Sequence, residues 1–175
     1  RLRSASELQR LMQWHYASVR LPRLGRPLAW VTSGAPVELL RSMGAMVVYP
    51  ENYTALCGAQ HQAVGLCQKA EEEGYSPDLC SYARTSLGSV LAPSAAPFGG
   101  LPRPDVLIAC NNICSTSAAL CRRPAGVLAV WSAAPSPAFR RRLQEGAFQV
   151  DEHRVRSRGP RRGSQHTIWI ARRGS

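Results

Sequence analysis

Leu28-Ala29-Trp30-Val31-Thr32-Ser33-Gly34-Ala35-Pro36 is the stretch that decides the fold. Four consecutive apolar residues read as a strand buried on both faces, as in a parallel sheet. Thr32-Ser33-Gly34 then turns the chain, and Pro36 suits the first turn of a helix, because its missing N–H would have no helical partner there. That helix runs to Met43, Gly44 stops it, and Ala45 to Tyr49 reads as a second strand. The result is a β-turn-α-β unit, the building block of a parallel sheet with covering helices.

Working outward, the residues before it carry Leu8, Leu11, Met12, Tyr16 and Val19 at helical spacing, so Ala5 to Arg20 reads as a helix. After it, Ala55 to Glu73 reads as one mostly helical stretch closed by Gly74. Asp78 is placed to cap a helix over Leu79 to Ser89. Pro93 to Pro104 is a loop, Val106 to Cys110 a third buried strand, and a helix is expected from Ser115.

The chemistry-bearing residues fall where strands end and helices begin, the edge at which open α/β sheets collect ligands. Ser33 follows the first strand, Glu51 the second and Cys114 the third, while Cys80 opens a helix, where the positive end of the dipole favours a thiolate. Each has an ordinary structural alternative: Ser33 a turn hydroxyl, Glu51 a helix-start carboxylate, either cysteine a packed thiol. Spacing alone does not make a metal site, since a C-x-x-C pair is absent.

Four ordered strings add to this. They are Trp30-Val31-Thr32-Ser33-Gly34-Ala35-Pro36-Val37-Glu38; Tyr49-Pro50-Glu51-Asn52; Gly74-Tyr75-Ser76-Pro77-Asp78-Leu79-Cys80-Ser81-Tyr82-Ala83-Arg84; and Pro104-Asp105-Val106-Leu107-Ile108-Ala109-Cys110-Asn111-Asn112-Ile113-Cys114. Together they resemble the motifs of the 2-hydroxyacyl-CoA dehydratase / benzoyl-CoA reductase family, over roughly residues 5–120. The resemblance implies a Rossmann-like or flavodoxin-like parallel sheet with flanking helices. It also implies a 4Fe–4S cluster on three cysteines per subunit. Cys80 and Cys114 match two of these, and the third, from a C-terminal domain of the family, has no counterpart here. Glu51 and Ser33 match positions lining the family's substrate site. There a carboxylate can move a proton to a departing hydroxyl and a hydroxyl can bind a thioester carbonyl. Arg84 and Tyr82 are placed to support the cysteine loop, or equally to make a salt bridge or pack in the core.

The implied activity is radical dehydration of a 2-hydroxyacyl-CoA thioester. A separate ATP-dependent iron–sulfur activator supplies one electron, and a related sister subunit completes a heterodimer. Benzoyl-CoA reductase-type and double-cluster reductase subunits share these motifs. An anaerobic, cytoplasmic setting follows, with reduced thiols, and no apolar run is long enough to span a membrane.

Past residue 120 the resemblance stops. From Arg122 to Ser175 twelve arginines face only Glu145, Asp151 and Glu152, a local charge of +9 within the total of +11. The body is nearly neutral and the tail is basic. Val127 to Trp131 and Thr167 to Ile170 look strand-like; the rest reads as a weakly ordered tail over residues 121–175. Such an abrupt gain of Arg, Ala, Pro, Ser and Gly is also what a shifted frame of a GC-rich gene would encode. A rival function makes the chain a non-catalytic α/β domain with a nucleic-acid-binding tail. Against it, the tail interleaves few aromatics with its arginines and carries no recognised nucleic-acid motif.

Overall fold

A computed structural model describes residues 3–21, 25–110, 127–156 and 165–173. Helix α1 (Arg3–Ser18) leads into strand β1 (Leu28–Val31), helix α2 (Val37–Ser42) and strand β2 (Met46–Val48). Helices α3 (Pro50–Ala59), α4 (Ala63–Glu72) and α5 (Ser81–Leu91) follow, then two single 3-10 turns, then strand β3 (Val106–Cys110). Strand β4 (Val127–Ser132), helix α6 (Pro137–Glu145) and strands β5 (Phe148–Arg156) and β6 (Gln165–Arg173) complete the described residues.

The six strands form one sheet in the order β2-β1-β3-β4-β6-β5. The first four are parallel; β6 runs antiparallel to both β4 and β5. The α/β sheet with flanking helices expected from the sequence is present, and β1 spans the four apolar residues quoted first. One face carries the main core: Trp30, Val48, Leu107, Leu128, Val130 and Trp169 pack under α3, α4, α5 and α6. The other face has a smaller cluster, Ala29, Val31, Val37 and Val47, under α2. This asymmetry shows in the strands. All four residues of β1 are buried, whereas β3 and β4 alternate between buried and partly exposed positions.

Three expectations are corrected. The single helix over Ala55 to Glu73 is two. It begins earlier, with Pro50 at the first helical position, and breaks at Gln60-His61-Gln62, where His61 has φ +57° and Gln62 N–H bonds the Cys57 carbonyl at 2.9 Å. No glycine or proline marks that break, so the apolar spacing read straight through it. Second, Asp78 does not cap α5. Its N–H donates to Ser76 Oγ at 3.2 Å within a preceding turn, and Cys80 takes the cap position.

Third, the basic tail is not loosely ordered where the structure describes it. Ser136 Oγ accepts from Phe139 N–H at 3.3 Å and Pro137 occupies the first turn, a regular helix start. Phe139 and Leu143, four residues apart, bury the inner face of α6. Strands β5 and β6 pair over nine residues, from Phe148 opposite Arg173 to Arg156 opposite Gln165. Thr167, Trp169 and Ala171 alternate into the core, while Arg154, Arg156 and Arg172 are exposed. Several are also paired: Arg172 with Asp151 at 2.5 Å, Arg154 with Glu152 at 3.3 Å, and Arg140 with Glu152 at 3.9 Å. Of the described arginines, Arg154, Arg156 and Arg172 decorate the outside of this hairpin. Among the described residues no helix is long and apolar enough to cross a membrane.

Candidate functional site

Strand order places the site. β1 has β2 on one side and β3 on the other, and the chain leaves β1 in one direction and returns in the opposite one. A crevice at the carboxyl ends of such a pair is the usual ligand position in open α/β sheets. Here the crevice is pinned by a residue the sequence reading passed over. Thr32 N–H donates to the Ile108 carbonyl at 3.0 Å, and Thr32 Oγ1 accepts from Cys110 N–H at 3.1 Å. These bonds hold the Ser33-Gly34 turn against the end of β3. Gly34 has φ +85°, and a Cβ there would stand 3.5 Å from the Cys110 sulfur. Ser33 is exposed on this turn.

Glu51 is the second residue of α3, directly after β2, and is half-buried. A carboxylate there is favoured by the unpaired N–H groups of the first turn. Cys80 is exposed at the cap of α5. α5 runs antiparallel to α4, since Glu71 pairs with Arg84, and Cys67 lies 3.3 Å from Thr85 Oγ1. At its far end Ser89 accepts from Leu101 N–H, and the chain then enters the amino end of β3. α5 therefore starts toward the carboxyl rim. Ser33 thus lies in the turn that opens the β1–β2 connection, Glu51 at the start of the β2–β3 connection, and Cys80 at the start of the last helix of that same connection.

The turn before α5 is held by Arg84. Its Nε donates to the Leu79 carbonyl at 2.8 Å, and its guanidinium pairs with the Glu71 carboxylate. The support expected of Arg84 is therefore visible, whereas Tyr82 is exposed and packs little. We expect Arg84→Ala to cost about 1–3 kcal/mol, because one partner of a part-buried charged pair is left behind. Amide exchange over residues 76–81 should accelerate; an unchanged rate there would show that the turn stands without Arg84.

Cys57 and Cys67 are structural. Cys57 is buried in the main core, where burial pushes its thiol pKa up, and Cys67 is buried between Ser81 and Thr85. Cys114, Asn111, Asn112 and Cys121 lie outside the described residues. Among the described residues no group of three or more His, Cys, Asp or Glu converges as a metal site. Cys80 belongs to no such group there. The exposed thiol of Cys80 at a helix start is chemically suited to be one ligand of a cluster completed by others.

Farther along the same rim, beyond β3, a cleft of about 250 Å³ is lined by Gly34, Cys110, Trp131, Ala133 and His166. Sequence reading missed it, because Trp131 and His166 belong to strands placed beside β3 only by the fold.

The profile of the family described as 2-hydroxyglutaryl-CoA dehydratase, D-component, matches residues 32–125. The chain belongs to that family. Its relatives include the (R)-2-hydroxyisocaproyl-CoA dehydratase alpha subunit of Clostridioides difficile, 45% identical over 91 residues, 52% of this chain and 22% of that one. The (R)-phenyllactyl-CoA dehydratase alpha subunit of Clostridium sporogenes is 37% identical over 91 residues, with the same coverage. Lactoyl-CoA dehydratase subunit alpha of Anaerotignum propionicum is 34% identical over 105 residues, 53% of this chain and 25% of that one. The chain spans only about a fifth to a quarter of the length of these relatives. The matched region holds three of the four motifs whole and the first from Thr32 onward, and it ends at residue 125, just before β4.

Proposed function

We propose that this chain serves as an iron–sulfur subunit of a 2-hydroxyacyl-CoA dehydratase-type enzyme. The observation that carries the reading is the family match over residues 32–125, together with the common rim that receives Ser33, Glu51 and Cys80. Cys80 and Cys114 are the proposed cluster ligands, with further ligation from outside this chain's motifs. A bound 4Fe–4S cluster supplies low-potential one-electron chemistry. The chain's own groups have simpler tasks. Ser33 donates its hydroxyl to the thioester carbonyl, and Glu51 carries the proton that leaves with the 2-hydroxyl. Arg84 holds the Cys80 turn. A CoA thioester substrate, a sister subunit and an ATP-dependent iron–sulfur activator are the partners proposed with this role, in an anaerobic cytoplasm.

Anaerobic reconstitution with iron and sulfide tests it. The wild-type chain should develop thiolate-to-iron absorption, and Cys80→Ser should lose at least half of the bound iron. Iron uptake that is nil, or equal in the two proteins, overturns the ligand assignment.

A further inference from the structure

The cleft beside the Ser33 turn joins two parts of the chain with different histories of recognition. Gly34 and Cys110 belong to the family-matched region, whereas Trp131, Ala133 and His166 lie beyond residue 125. Trp131 sits on β4 directly opposite Cys110 of β3, so the two side chains share one face of the sheet. That face is the less covered one, and Trp131 remains 42% exposed. The Trp131 and His166 rings stand at 81° with centroids 5.3 Å apart, which makes an open aromatic corner.

The chemistry of the walls narrows the occupant. Among the described residues the lining carries no carboxylate, lysine or arginine, and burial raises the Cys110 thiol pKa, so at neutral pH that wall is an uncharged sulfur. A flat ring gains a face-to-edge partner on either wall and covers the indole from water. The volume is adequate, since apolar cavities of roughly 150 Å³ take up benzene. It is too small for a whole nucleotide-sized ligand, which occupies the larger clefts of ~300–1,000 Å³. The neighbouring residue is Ser33, the proposed anchor of the thioester carbonyl. A group bonded close to that carbonyl is therefore the part of a ligand that reaches the corner.

We propose that this cleft is the acyl-group pocket and that it selects 2-hydroxyacyl thioesters bearing an aromatic ring. The proposal rests on the thioester reading above and adds to it a substrate class and two selecting residues, Trp131 and Ala133, contributed by the segment after residue 125.

Calorimetric titration of the full chain with phenyllactyl-CoA, lactoyl-CoA, free CoA and benzyl alcohol separates the possibilities. Phenyllactyl-CoA should bind roughly tenfold or more tightly than lactoyl-CoA, from the buried ring alone. Trp131→Ala, which removes a half-exposed side chain, and Ala133→Phe, which fills the cleft, should each erase that preference. Equal affinity for the two thioesters in the wild type, or a preference that survives both variants, overturns the pocket and leaves the thioester reading standing. If no thioester and no CoA binds, the thioester reading falls instead. In that case benzyl alcohol decides the cleft: binding lost in Trp131→Ala keeps an aryl site, and no binding removes it.

Discussion

Trp169→Ala is expected to lower the free energy of unfolding by about 3–5 kcal/mol, the range for emptying a large buried aromatic site. Trp169 is completely buried on β6, between Val130 of β4 and Glu152 of β5, and its ring lies 5.2 Å from that of Phe139 on α6. Four elements lose their common filler at once. For a chain of this size the loss corresponds to a melting point lower by roughly 10 °C. Trp169→Phe should cost much less, about 1 kcal/mol, because it keeps most of the packing. It also removes a buried indole N–H that has no partner among the described residues. Chemical denaturation followed by far-ultraviolet circular dichroism measures both. A cost for Trp169→Ala within ~0.5 kcal/mol of zero would mean that β6 is not docked on the sheet.

That experiment bears on the part of the fold hardest to read from sequence. The first three strands were legible because parallel strands buried on both faces are short apolar runs, and Leu28–Val31 and Val106–Cys110 are such runs. β5 and β6 lie at and next to the edge, with one face toward water, so their pattern is alternation diluted by arginine. Phe148, Val150 and Glu152 point one way along β5, and the exposed Gln149, Asp151 and His153 the other. Glu152 takes an inward position because Arg140 and Arg154 reach its carboxylate. Composition registers the arginines and misses the period of two.

The candidate site shows the same division. The positions of Ser33, Glu51 and Cys80 were legible because each follows a predicted strand or opens a predicted helix: Ser33 lies in the turn after β1, Glu51 is the second residue of α3 and Cys80 the cap of α5. Thr32 was hidden, although it belongs to the quoted motif, because its hydroxyl acts across a strand pair 78 residues apart in sequence. Trp131 and His166 depend on strand order, which no local pattern encodes. Arg84 was legible through its motif, but its partner Glu71 sits in what reads as a solvated Glu-Glu-Glu run. Only the antiparallel α4–α5 hairpin selects that one carboxylate from the three.

The hairpin supplies the second large effect, and here two glycine substitutions should have opposite signs. Gly88 of α5 packs against the backbone of α4. A Cβ there would collide with the Leu66 carbonyl oxygen and lie 2.6 Å from its carbon and 3.0 Å from its Cα. Backbone cannot rotate aside as a side chain can, so Gly88→Ala must push α5 away from α4. That separation strips packing from Leu66, Cys67 and Leu87, all buried. Overpacking of this kind costs about 1–3 kcal/mol and sometimes more, set against roughly 1 kcal/mol gained from the better helix former. Because rigid backbone must move, the clash should fall at the upper end of that range and win, with a net loss of up to about 2 kcal/mol. Gly65 on α4 has nothing within 4 Å of its would-be Cβ and a helical backbone, so Gly65→Ala should instead stabilise by ~0.5–1 kcal/mol. Denaturant midpoints measured at constant slope compare the two. If Gly88→Ala is neutral or stabilising, the helices do not approach as closely as described, and the argument that α5 carries Cys80 to the rim loses its support.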